Sequence, residues 1–220
     1  MFKLIRKYII FYFIYNRGIT RENIGEYPDA LDYFYLALSL RPNSVKTYKS
    51  IARVCRKSKT CLNGIDFVNK ASWRFPDKAE LYAIKADLYR KIKDYVNAIK
   101  EYDLAIKYEG ENWEYYLQRA KIKALNNDIQ GALNDCNGAI NNNPKNDKLY
   151  SLRAFYYFER KNFVNAALDY ENAIKINSKN GHYYFMLACM QKLSGQDSLA
   201  VENYKKANEY FENWKQNQND

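Results

Sequence analysis

Residues 80–109, ELYAIKADLYRKIKDYVNAIKEYDLAIKYE, contain two amphipathic segments joined by a tight turn. Small residues stand at Ala86, Ala98 and Ala105, with large partners at Tyr82, Tyr89 and Tyr102. A shift of 34 residues in either direction returns the same skeleton. The column through Ala98 reads Ala30, Gly64, Ala98, Ala132, Ala166, Ala200. Further columns run Ala37, Ala71, Ala105, Ala139, Ala173, Ala207 and Gly18, Ala52, Ala86, Ala120, Ala154, Ala188. Small side chains let helix backbones approach, since interaxial distances of roughly 8–10 Å depend on the side chains at the contact. The bulky columns are Ile14, Tyr48, Tyr82, Tyr116, Tyr150, Tyr184 and Phe34, Val68, Tyr102, Cys136, Tyr170, Tyr204. A helix pair with one apolar face cannot bury it alone, so such pairs stack. The expectation is an all-α, right-handed superhelical solenoid of antiparallel helix pairs.

The order Tyr116, Ala120, Ala132, Cys136, Ala139, Pro144 resembles the 34-residue unit of the tetratricopeptide repeat proteins. Gly25-Glu26-Tyr27-Pro28-Asp29-Ala30 is similar to that family's inter-helix turn. The resemblance spans residues 11–214 as six repeats: 11–44, 45–78, 79–112, 113–146, 147–180 and 181–214. Residues 1–10 then extend the first helix, and 215–220 form a polar, frayed tail.

Pro28 suits the first turn of a helix, where its missing N–H costs nothing. Asp94, Asp128 and Asn162, again 34 apart, are read as N-caps of the second helices. In the last repeat Gly195-Gln196-Asp197 suggests a cap shifted by one residue. Gly64, costing up to ~1 kcal/mol against Ala within a helix, marks repeat two as the softest. The 22 tyrosines are read as packing residues with a wet tip.

Charge is uneven. Residues 1–78 carry 15 Lys/Arg against 6 Asp/Glu, and residues 79–220 carry 20 against 19. The basic first third admits an acidic partner, an anionic membrane or nucleic acid. Near-neutrality after residue 78 argues against a long nucleic-acid track, and nucleic acid is not the expected partner. Cys55, Cys61, Cys136 and Cys189 form no CxxC pair, and His182 has no ligand spacing around it. They are read as reduced structural thiols, which fits the cytoplasm. No phosphate loop, nucleophile–base set or metal cluster is legible, so neither an enzyme nor a cofactor is expected.

At the start, Lys3, Arg6 and Lys7 precede an apolar run from Tyr8 to Tyr15. The run is too short for the ~20 apolar residues of a membrane span, and no small-residue cleavage site follows. It is read as a structural cap, a dimer contact or a superficial membrane foot. At the other end, Tyr204, Ala207, Tyr210, Phe211 and Trp214 offer a frayed end, a homodimer face or a partner dock.

In the family that the chain resembles, the first helix of each unit lines a concave groove. By position, this implies Lys46, Lys49, Arg53, Arg56 and Lys57 from repeat two, Arg90 from repeat three and Lys121 from repeat four. Repeats five and six contribute Phe155, Phe158 and Phe185. The groove so implied is basic early and aromatic late, suited to a protein or peptide with an acidic segment and apolar anchors. A solvated basic face is the competing reading. Some family members clamp the acidic tail of heat-shock chaperones with basic and Asn residues. Here Lys49 and Arg53 fit, but Ile84, Glu114 and Gln118 do not, so that ligand is not expected. The function implied is a non-catalytic protein-interaction scaffold. The alternatives are a membrane-associated adaptor anchored by residues 1–15 and a basic-patch nucleic-acid binder.

Overall fold

The computed structural model describes the backbone of residues 2–216 and the side chains of residues 5–212. Among these the chain is all-α, with twelve helices in consecutive packed pairs and no strand. They fall into two units, residues 1–110 and 111–220. The first holds α1 (Phe2–Asn23), α2 (Tyr27–Leu40), α3 (Val45–Lys57), α4 (Cys61–Arg74), α5 (Ala79–Lys91) and α6 (Tyr95–Tyr108). The second holds α7 (Trp113–Leu125), α8 (Ile129–Asn142), α9 (Asp147–Glu159), α10 (Phe163–Ile176), α11 (Gly181–Leu193) and α12 (Asp197–Gln216).

From Val45 onward each odd-numbered helix starts 34 residues after the last, and the even-numbered ones keep the same step from Tyr27. The small-residue columns explain the spacing. All eighteen of their members are buried. A Cβ added to Gly18 would lie 2.6 Å from the Phe34 ring, and one added to Gly64 would lie 3.0 Å from Cys55 Cβ. At Gly18 the neighbouring helix leaves no room for a methyl group, while at Gly64 one would fit only if Cys55 gave way by a few tenths of an ångström.

The turns within each pair share a backbone device that residue types only partly announce. Gly25, Lys59, Lys93, Asn127, Lys161 and Gly195, again 34 apart, all have φ between 56° and 85°. Each ends a first helix in the left-handed region, and the next residue's N–H reaches five residues back, as in Asp94 N to Tyr89 O at 3.0 Å. Asp94, Asp128 and Asn162 cap α6, α8 and α10 as expected, accepting from Asn97, Gly131 and Asn165 N–H at 3.2, 2.8 and 3.2 Å. The expected cap shift before α12 does not occur. Gly195 keeps the turn in register, α12 begins at Asp197, and the Gln196 carbonyl accepts the Ala200 N–H at 3.1 Å.

A second cap column is Asn112, Asn146 and Asn180, accepting from Glu114, Lys148 and His182 N–H at 3.1, 3.2 and 3.1 Å. Every first helix of the second unit is thus side-chain capped, whereas α2 to α5 of the first unit have no such bond. Three tyrosine tips of the bulky column are satisfied too. Tyr48, Tyr82 and Tyr150 hydroxyls donate to the carbonyls of Pro42, Pro76 and Pro144 at 2.9, 3.0 and 3.1 Å.

Buried ion pairs tie the two helices within each of three successive repeats. Lys85 meets Glu101 at 2.9 Å, and Arg119 and Arg153 grip Asp135 and Asp169 with two N–H groups each, at 2.6 to 2.9 Å. The arginine pairs satisfy both carboxylate oxygens, while Glu101 Oε2 is buried without a hydrogen bond. A planar guanidinium matches a carboxylate fork and an ammonium does not. At the chain's end α12 continues through Gln216, past the start of the stretch read as a tail. Tyr210 stacks on Tyr184 at 5.3 Å and Phe211 stays partly exposed. The Trp214 side chain and residues 217–220 lie outside the described set.

Two outcomes follow from this geometry. Lys93→Gly should raise stability by up to about 1 kcal/mol, because glycine carries no Cβ penalty at φ > 0. A urea midpoint unchanged or lowered in Lys93→Gly would show that the turn is not strained. Asp169→Asn should cost about 3 kcal/mol by removing the charge that faces the buried Arg153 guanidinium, which keeps its bond to Asn137. The double variant Arg153→Leu/Asp169→Asn, which copies Leu187 and Asn203 of the last repeat, should recover part of that loss in the same titration.

Candidate functional site

The basic residues of α3 do share a face, and the first unit shapes it into two recesses. One, of about 490 Å³, is lined by Tyr15, Val45, Lys46, Lys49, Ser50, Arg53 and Glu80. The other, of about 830 Å³, is lined by Arg53, Arg56, Lys57, Lys59, Arg90, Lys91, Cys61 and Ile92. Arg53 belongs to both. Lys49, Lys57, Lys59 and Lys91 are exposed, and Arg53, Arg56 and Arg90 are half-buried. Helical spacing on α3 and α5 places the groups, and the left-handed turn after each helix adds Lys59 beside the second recess.

Like charges at this density need an anion, and the chain supplies one for two of them. Glu22, at the end of α1, is almost fully buried. Its two carboxylate oxygens accept from Arg53 Nε and an Arg53 terminal nitrogen at 2.6 Å each, and Lys57 Nζ approaches at 2.8 Å. Burial alone would raise the Glu22 carboxyl, but the hydrogen bonds and charges of Arg53 and Lys57 hold it below the usual range. The same carboxylate raises Arg53. Glu22 stands 34 residues before Arg56, so its place on the face was available from the repeat register.

The remaining cations are differently engaged. Lys46 Nζ lies over the Tyr15 ring at 4.6 Å. Arg90 Nε is buried without a hydrogen bond, with Asp87 Oδ1 3.5 Å away. Arg56, Lys59 and Lys91 project into the larger recess with no carboxylate among its lining residues.

Lys121, Phe155, Phe158 and Phe185 belong to the second unit, on α7, α9 and α11. Lys121 is exposed. Phe155 and Phe185 are 45% and 42% exposed, as an apolar contact face requires. Phe158 is half-buried, 6.1 Å from the Phe163 ring, and Phe185 meets Tyr204 edge-on at 5.7 Å. Among the described residues no group of His, Cys, Asp and Glu is placed to hold a metal ion. Burial pushes the Cys136 thiol up to about 12, so it stays a protonated core residue.

Residues 79–112 match the model of the tetratricopeptide repeat family. No curated protein sequence matches the chain. Among solved structures, MamA superposes with a TM-score of 0.67 at 20% identity, over 76% of this chain and 92% of its own. BtubC (BKLC) from P. vanneervenii gives 0.71 at 14% identity, over 89% and 92%. YrrB, described as a TPR protein with an unusual peptide-binding site, gives 0.63 at 14% identity, over 80% and 91%. These likenesses establish the fold.

Because the Glu22 carboxyl is depressed in the fold, its contribution is present above the unfolded value near 4.5. It is lost as pH falls through the lower folded value. Glu22→Gln should therefore cost about 2 kcal/mol at neutral pH. That is less than a fully buried pair because Arg53 and Lys57 are 40% and 44% exposed and can rehydrate. The gap between the two proteins in urea midpoint should close as pH falls below 4.5. A gap independent of pH would assign the effect to packing.

Proposed function

Given that the chain is a tetratricopeptide repeat protein, we propose that it is a non-catalytic scaffold whose first unit holds an acidic segment of a protein or peptide. The observation that carries this reading is the larger recess: six cationic side chains from α3, the following turn and α5, with no carboxylate lining it. Glu22 already neutralises part of Arg53 and Lys57. The binding groups are therefore Arg56, Lys59, Arg90 and Lys91, with Lys49 and Lys46 extending the site along α3. Arg56 and Arg90 are guanidinium groups, and a guanidinium offers a carboxylate two parallel bonds. Phe155 and Phe185 in the second unit supply a separate apolar contact for the same class of partner.

A labelled oligoglutamate peptide is the direct probe. The full chain should bind it, and Arg56→Glu/Lys91→Glu should weaken binding roughly thirty-fold, about 1 kcal/mol for each partly exposed contact. Far-UV circular dichroism must show equal helicity. Equal affinity of the two proteins for the peptide would make the recess a solvated face. Tighter binding of single-stranded RNA than of the peptide, lost in the same variant, would move the assignment to nucleic acid.

A further inference from the structure

The first helix carries a surface that the recess does not use. One side of α1 packs inward through Phe11, Tyr15, Gly18 and Glu22, which recur at helical spacing and fix how the helix sits. The other side shows Ile5, Tyr8, Ile9, Ile10, Tyr12 and Phe13 to solvent, each 40% exposed or more. That is six large apolar side chains within nine residues, far denser than the singly scattered apolar residues of an ordinary surface.

Charge indicates what covers it. Residues 1–21 contain Lys3, Arg6, Lys7, Arg17 and Arg21 and no Asp or Glu. Three exposed rings have a cation beside them: Arg41 at 5.0 Å from Tyr8, Lys46 at 5.5 Å from Tyr12 and Arg17 at 4.8 Å from Phe13. Apolar side chains thus form the centre of the surface and guanidinium and ammonium groups form its margin. A second copy of the same surface would bring cation against cation with no carboxylate between them. No described helix is long and apolar enough to cross a membrane, but an interfacial helix needs only an apolar face, basic flanks and aromatic rings at headgroup depth.

We infer that the outer face of α1 lies on an anionic lipid surface, with Ile5, Ile9 and Phe13 entering the acyl boundary and Arg6, Lys7 and Arg17 meeting lipid phosphates. Tyr8 and Tyr12 present ring and hydroxyl together, which suits the boundary between the two layers. The cationic margin gives the preference for anionic lipid, since each Lys or Arg near such a surface adds to binding. This surface meets the acidic-peptide site only at Lys46 and shares none of the groups of the larger recess.

The test is flotation of the full chain with vesicles of phosphatidylcholine alone and of phosphatidylcholine with phosphatidylserine. The chain should float with the anionic vesicles only. Ile9→Glu/Phe13→Glu, both at sites about 60% exposed, should lower the partition coefficient about a hundred-fold with helicity unchanged. Arg6→Gln/Lys7→Gln, which leaves the apolar side chains in place, should lower it about thirty-fold. Arg56→Glu/Lys91→Glu should float like the wild type. Absence from anionic vesicles, or flotation undiminished in Ile9→Glu/Phe13→Glu, overturns the inference. So does a dimer, by light scattering, that dissociates in Ile9→Glu/Phe13→Glu while no protein floats. Capture by an acidic amphipathic peptide in place of vesicles overturns it in favour of a protein partner.

Discussion

Close approach of helix backbones at the three small-residue columns is the constraint on which the other features depend. Where Gly18 faces Phe34 and Gly64 faces Cys55, even one methyl group meets a neighbour at 3.0 Å or less. Close-packed interiors transmit such misfits, because there is no void to absorb them. The bulky columns are the complement of the small ones. Phe34, Val68, Tyr102, Cys136 and Tyr170 are nearly inaccessible. At the end of the series Tyr204 is only half-buried, as expected of a column member near the edge of its unit.

That geometry brings polar groups inside. A first-helix cation and a second-helix carboxylate sixteen residues later face each other under the packed surface, and each repeat in which they occur must satisfy both. In the second unit Arg119 and Arg153 do so with two bonds to each carboxylate. In the first unit the equivalent Lys85 reaches one oxygen of Glu101 and leaves the other unbonded. Helix capping shows the same contrast, with an asparagine cap on every first helix of the second unit and no side-chain cap on α3 or α5. Local opening free energies follow such differences, so the starts of α3 and α5 are expected to exchange their amide protons sooner than those of α7, α9 and α11.

The helix pairs and their register were legible because Gly or Ala recurring every 34 residues in three columns marks places where only a small side chain fits. The capping roles of Asp94, Asp128 and Asn162 were legible because a short acceptor before an apolar run has a local meaning. The left-handed turn positions were not. Lys59, Lys93 and Lys161 adopt a conformation that residue type alone reserves for glycine or asparagine, and only the flanking Gly25, Asn127 and Gly195 hint at it. The ion pairs were hidden for a different reason. Lys85 and Arg119 look like any surface charge until the facing helix supplies its carboxylate. The basic face of α3 could be read from spacing, but its partial neutralisation could not. The register places Glu22 opposite that face, but its burial depends on how α1 packs against α3.

Glu22 also sorts the cations of the first unit by what they can still do. Arg53 and Lys57 are held by an internal carboxylate, so their charges are partly cancelled and their positions fixed. Arg56, Lys59, Arg90 and Lys91 line a recess in which their own side-chain stems, with Cys61 and Ile92, leave more apolar than polar surface. The charge that draws an occupant there is exposed, and exposed charge is screened over about 8 Å at physiological ionic strength. The cations around α1 sit instead at the edge of exposed Ile, Tyr and Phe side chains. An occupant there gains apolar burial that salt does not weaken, with charge setting only its preference. One excess of positive charge therefore serves two surfaces of different physics: affinity at the recess falls as salt is added, while affinity at α1 keeps its apolar part.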